Sequence, residues 1–202
     1  MTFLRAIAGA CIAAAIFASA VAQAEKPFFA ERMMDDLMWN HGPIGGPFTL
    51  TDQTGKPRSD TEFRGRLMLI YFGYTFCPDV CPTDLMSISQ AIQSLGEAGN
   101  AVQPIFISVD PERDTPAVLG EYTSAFHPRL IGLTGLPEQI RVVALLYRAW
   151  FARVPDAVGK GYSIDHTGVI YLVGRDGQYL GFAPPRTEPA RLVEILRKLI
   201  DK

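Results

Sequence analysis

Two thiols four positions apart are the residues most able to do chemistry in this chain. Cys77 and Cys81 stand in Tyr71-Phe72-Gly73-Tyr74-Thr75-Phe76-Cys77-Pro78-Asp79-Val80-Cys81-Pro82, an aromatic, apolar run ending in cysteines and prolines. If Cys81 lies on the first turn of a helix, both side chains project from one face with Cα atoms about 6 Å apart, within the range of a disulfide. The same geometry lets both thiolates hold one soft metal ion. A helix N-terminus favours negative charge, which lowers thiol pKa and readies the sulfurs for either role. Spacing alone leaves redox and metal chemistry open.

A third group bears on the choice. Two cysteines do not close a tetrahedral zinc site, and the chain has no second cysteine pair and only three histidines. Copper(I) accepts few soft ligands, and one imidazole would complete a three-coordinate site. His166 ranks first, because it sits between Asp165 and Thr167, ahead of an apolar strand and beside a Gly/Pro-bearing stretch at 154–161. His127, before Pro128, reads as a partner for a helix C-terminus. His41 belongs to a stretch with Met33, Met34, Met38 and Trp39, a soft-metal composition whose simpler reading is a flexible, loosely docked N-terminal segment. Asp110 could orient a ligand or a partner, or make the turn before Pro111. Asp79 reads as solvated or touching a partner, since carboxylate suits harder ions than copper(I).

The elements that must position these groups follow from periodicity. Leu67 to Phe72 is a continuous apolar strand of the kind found at the centre of a sheet covered on both faces. Gly42 to Arg64 reads as a β-hairpin turning at Gly55. After the thiols, Leu85, Ile88, Ala91, Ile92 and Leu95 have helical spacing, with Thr83 or Asp84 as N-cap and Gly99-Asn100 closing the segment. Val102 to Val109 is a second strand, and Thr115 to Phe126 and Pro137 to Phe151 are two further helices. An exposed connection at 154–161 leads to a hairpin of Val169 to Val173 and Tyr179 to Phe182 turning at Asp176-Gly177, and Thr187 to Ile200 closes the chain as an amphipathic helix. The βαβα order implies a parallel core.

Residues 1–24 stand outside this pattern. Arg5, an apolar run from Ala6 to Val21 and Ala22-Gln23-Ala24 read as a signal peptide with its cleavage site; an uncleaved membrane anchor is the alternative. Cys11 lies inside it. Residues 25–41 form the flexible segment and 42–202 a single domain. A formal charge of −2 gives no surface for nucleic acid. Export would leave two cysteines, both in one motif, where a disulfide-stapled secreted domain would scatter several pairs, so these two read as functional.

The thiol segment, Ser108-Val109-Asp110-Pro111-Glu112-Arg113-Asp114-Thr115-Pro116, and Asp165-His166-Thr167-Gly168 with Tyr171-Leu172-Val173 resemble, in order, the signature segments of the Sco/SenC family. The similarity runs from about Gly46 to the C-terminus. The resemblance implies an α/β, thioredoxin-like fold, a central mixed sheet flanked by helices with an N-terminal β-hairpin extension. It implies one copper ion held by Cys77, Cys81 and His166. It also implies a role in assembling the dinuclear copper centre of cytochrome c oxidase, with the copper-bearing oxidase subunit and other copper chaperones as partners. The location would be periplasmic, or facing the periplasm with the N-terminal segment on the membrane. Two departures stand out: a cleavage tripeptide where the family commonly keeps an anchor, and no proline ahead of Asp176-Gly177. The alternative is a thiol-disulfide oxidoreductase cycling Cys77 and Cys81; a peroxiredoxin-like peroxidase fits the paired thiols poorly.

Overall fold

Leu67–Gly73 (β3) is buried along its whole length, and a strand with no polar side needs cover on both faces. The computed structural model describes residues 42–156 and 161–201. The expected signal peptide, the segment 25–41 with its methionines, and His41 lie outside the described residues.

Among the described residues, seven strands form one mixed sheet. They are Thr49–Asp52 (β1), Pro57–Ser59 (β2), β3, Val102–Ser108 (β4), Ile131–Thr134 (β5), Ile170–Val173 (β8) and Tyr179–Ala183 (β9), in spatial order β2-β1-β5-β4-β3-β8-β9. The middle strands β3, β4 and β5 run parallel, and the outer pairings are antiparallel. The expected N-terminal hairpin therefore extends the sheet as its edge, with Thr51 paired to Thr134 and the turn at Gly55 in the left-handed region.

Helices Val80–Ser94 (α1), Pro116–Ser124 (α2), Pro137–Leu146 (α3) and Pro189–Ile200 (α4) cover the faces. Successive residues of a strand point to opposite sides. Tyr71 accordingly stacks on Phe106, which meets Tyr122 of α2, while Phe72 packs on Tyr147 and Tyr171. The amphipathic α4 buries Leu192 and Leu196 and lies against α1.

Four boundaries differ from the sequence expectations. Helix α1 begins at Val80 with Asp79 at its N-cap, not at Thr83 or Asp84, because Pro82 falls in the first turn, where a missing N–H costs no helical bond. At its other end α1 stops at Ser94, and a 3-10 turn, Gly96–Ala101, spans the stretch that Gly99-Asn100 was expected to close. The third helix ends at Leu146, short of Phe151: Arg148 adopts positive φ and the chain turns into Phe151–Pro155 (β6). That strand pairs antiparallel with Tyr162–His166 (β7) as a two-stranded arm separate from the main sheet, so the expected connection at 154–161 overlaps the arm only at Val154 and Pro155 and otherwise falls between its two strands in sequence. Its strands are half-exposed and lack alternation, the signal by which a strand is read from sequence. Strand β5 also escaped the periodicity, since Gly132 interrupts it; a Cβ there would lie 2.9 Å from Thr123 of α2.

Candidate metal centre

Strand β3 delivers the thiol loop at its C-terminal end. The loop is fastened from beneath by Asp114, whose buried carboxylate accepts from the Thr75 amide (3.0 Å), the Thr75 hydroxyl (2.6 Å) and the Ser108 hydroxyl (2.5 Å). Burial pushes the Asp114 carboxyl above its ordinary range. Cys77 ends this loop and Cys81 is the second residue of α1, so the Cys81 amide points back and donates to Cys77 Sγ at 3.4 Å. This is the helix N-terminus working on a thiolate.

The sequence put no glycine requirement on this turn, yet Gly73 decides it. A Cβ at Gly73 would lie 2.8 Å from Cys81 Sγ and 2.9 Å from Phe106. Glycine lets the sulfur sit against the end of the strand.

His166 closes the arrangement from the end of β7. Its Nε2 is 3.3 Å from Cys81 Sγ, and its Nδ1 faces the Thr167 carbonyl at 3.3 Å. With Nδ1–H donating to that carbonyl, Nε2 keeps its lone pair for the thiol side. The ring stands edge-on to Tyr71 and Tyr74, at 6.1 and 6.0 Å. The ligand atoms of Cys77, Cys81 and His166 all lie within 4.8 Å of one another, and both cysteines are free thiols.

The two sulfurs are not equivalent. Cys81 is fully buried and Cys77 lies at the surface edge, 9% exposed. The Cys77 thiol is pulled down to about 4, first by the hydrogen bond from Cys81, then by His166 and the amides of Asp79 and Cys81, against burial. The Cys81 thiol is pushed up by that same partnership and by burial. The pair therefore holds one proton between a thiolate at Cys77 and a thiol at Cys81.

The other candidates are elsewhere. His127 is buried ahead of β5, at the opposite end of the parallel strands, where its Nδ1 accepts from the Arg129 amide at 3.1 Å; burial pushes its pKa down. Asp110 is buried and receives Arg113 and the Tyr162 hydroxyl, the latter at 2.8 Å, so it orients neighbours. Asp79 pairs with Arg186 at the surface. Asp84, an expected N-cap candidate, instead lies within α1 and turns inward to accept from the Arg186 amide at 2.6 Å, and the sequence assigned no individual role to Arg113, Asp114 or Tyr162. Arg113 and Asp114 stand in the segment Ser108 to Pro116, but the burial of Asp114 and the inward turn of Arg113 have no signal in composition.

A buried dithiol at a helix N-terminus, faced by an imidazole from a neighbouring arm, defines a thioredoxin-like protein with a soft-metal or redox centre. The SCO1/SenC family profile matches residues 38–201, and the chain belongs to that family. It is 41% identical over 141 residues to "Protein SCO1 homolog, mitochondrial" of Homo sapiens, an alignment covering 69% of this chain and 47% of that protein, so it spans about half of that relative. A "SCO2-like protein" of Rickettsia felis is 41% identical over 155 residues, 76% of each chain. Among solved structures, Bradyrhizobium japonicum ScoI with copper bound superposes with a TM-score of 0.72 at 46% identity, covering 77% of this chain and 99% of that one.

Proposed function

We propose that this protein is a copper metallochaperone that binds one copper ion through Cys77 Sγ, Cys81 Sγ and His166 and passes it to the copper-bearing subunit of cytochrome c oxidase or to another copper chaperone. The observation that carries the reading is the convergence of two sulfurs and one imidazole nitrogen within 4.8 Å. Two thiolates and an imidazole are a soft donor set suited to copper in a three-coordinate site, whereas a structural zinc site would require a fourth ligand. Family membership and the copper held by the Bradyrhizobium japonicum relative support the choice of metal. Copper binding requires the dithiol, so closure of a Cys77–Cys81 disulfide empties the site and reduction opens it.

The protein acts outside the cytoplasm in this reading, with residues 1–24 as the export signal and 42–202 as the copper-binding domain. Among the described residues no helix is long and apolar enough to cross a membrane.

Mass spectrometry of the purified exported protein, reduced and then offered copper, tests the proposal by reporting N-terminus, metal count and thiol state together. One copper per reduced chain and none on the oxidised chain is expected. A reduced chain that retains no copper sinks the reading.

The thiolate at Cys77 favours a second activity of the same pair, thiol-disulfide exchange with a partner's cysteines. Cys77 would attack the partner disulfide and Cys81 would release it, leaving the partner reduced and this pair oxidised. A Cys81→Ser variant that accumulates a mixed disulfide through Cys77 would establish it; absence of any covalent partner under oxidising conditions would remove it.

A further inference from the structure

The three groups of the centre come from two structural units. Cys77 and Cys81 belong to the loop and helix that follow β3, whereas His166 stands on the β6–β7 arm, whose strands bond to each other and not to the main sheet. The arm rejoins the sheet at β8, which secures its base, but its lie against the thiol loop depends on side chains.

Arg153 of β6 pairs with Glu112 at 2.7 Å, and the remaining ties gather around Arg113. Its Nε donates to the buried carboxylate of Asp110, at the end of β4. Its Nη1 donates to the Tyr162 carbonyl on β7 at 2.9 Å. Its guanidinium carbon lies 3.8 Å from the Tyr162 ring centroid, 4.8 Å from that of Phe76 and 5.7 Å from that of Tyr74. Asp110 accepts a second bond from the arm, the Tyr162 hydroxyl at 2.8 Å. One cation thus contacts the core, the thiol loop and the arm at once, with its guanidinium carbon over three aromatic rings. Tyr74 carries the arrangement onward, because its ring stands edge-on to His166.

We propose that Arg113 is a positioning residue that latches the His166 arm onto the thiol loop, acting with Asp110 and Tyr162 to set where the imidazole meets the two sulfurs. The proposal rests on the copper reading above for its consequence, but the latch itself is a property of the metal-free chain. Lysine cannot replace the arginine fully: it would restore the charge facing Asp110 but not the delocalised cation over three rings together with the bond to the Tyr162 carbonyl.

The test uses the reduced full chain with Arg113→Ala, Arg113→Lys, His166→Ala and the Arg113→Ala/His166→Ala pair. In the metal-free state, NMR cross-peaks between the Tyr74 and His166 rings are expected in the wild type, lost in Arg113→Ala and partly kept in Arg113→Lys. Chelator competition should show copper affinity falling about 10- to 100-fold in Arg113→Ala, with partial rescue by lysine. In the His166→Ala background the same substitution should cost little more, since it acts through the imidazole. Unchanged ring cross-peaks in Arg113→Ala, or an equal loss of affinity in both backgrounds, overturns the latch. If the wild type binds no copper, the copper reading falls, and the cross-peaks still decide the latch. Should Arg113→Ala fail to fold, Tyr162→Phe, which removes only the hydroxyl bound to Asp110, must shift the same cross-peaks, and wild-type peaks in that variant overturn the proposal.

Discussion

His166 Nε2 lies 3.3 Å from Cys81 Sγ although 85 residues separate them. The distance is a hydrogen-bonding one in the metal-free thiol form, and the same lone pair would point at an ion bridging the sulfurs. His166→Ala should therefore weaken copper binding by more than about 100-fold, beyond the loss from disturbing a neighbour that only supports a ligand. Competition against a chromophoric chelator measures it. Wild-type affinity in the variant would remove His166 from the site.

The unequal thiols set the pH dependence of binding. The Cys77 thiol is pulled down by its hydrogen bonds, which favours the thiolate there at neutral pH, while Cys81, pushed up by the same partnership, would give up its proton on binding metal. Binding near neutrality then releases about one proton, so log Kd should fall by about one unit for each unit of rising pH. Affinity is lost as the solution is acidified, more steeply once Cys77 protonates as well. A slope of two throughout the neutral range would mean that both thiols are protonated there.

Gly73 leaves no room for a methyl group beside Cys81 Sγ, with 2.8 Å to the place a Cβ would occupy. Gly73→Ala should lower stability by about 1–3 kcal/mol, the usual cost of overpacking a filled core, and displace the sulfur from its partners. Denaturant midpoints and copper competition on the same preparation would show both losses. If neither is seen, the strand end can retreat from the thiol.

Asp84 is held above the ordinary carboxylate range by burial, so it binds its proton more tightly in the folded than in the unfolded chain. Its contribution to stability is complete below the unfolded value of about 4 and is lost as pH rises through the folded one. Asp84→Asn keeps an acceptor for the Arg186 amide and removes the titration. The stability of wild type relative to the variant should therefore decline from about pH 4 upward, read from urea unfolding at several pH values. A difference that does not change with pH would show that Asp84 titrates alike in both states.

The thiol pair, the central strand leading to it and the helix after it were legible in the residues themselves. A short apolar run without alternation suits a strand buried on both faces, and a helical repeat starting just after two cysteines suits thiols delivered to a helix N-terminus. The α4 helix and the β8–β9 hairpin were equally plain, because one has a clear apolar stripe and the other an Asp-Gly turn. The N-terminus of α1 was less so: proline looks like a barrier in sequence, but in the first turn it interrupts nothing.

Tertiary structure alone decided how the parts meet. His166 could be ranked above His127 from its neighbours, but its distance to Cys81 depends on an arm whose half-exposed strands carry no periodic signal. The inward turn of Asp84, the hold of Asp114 on Thr75 and the place of Arg113 among three rings are contacts between residues distant in sequence. Local pattern specifies which backbone a segment prefers, and so it determined the strand, the loop and the helix that present two thiols. Which proton each thiol keeps, and which imidazole faces them, depends on desolvation and distance, and these exist only once the chain has folded.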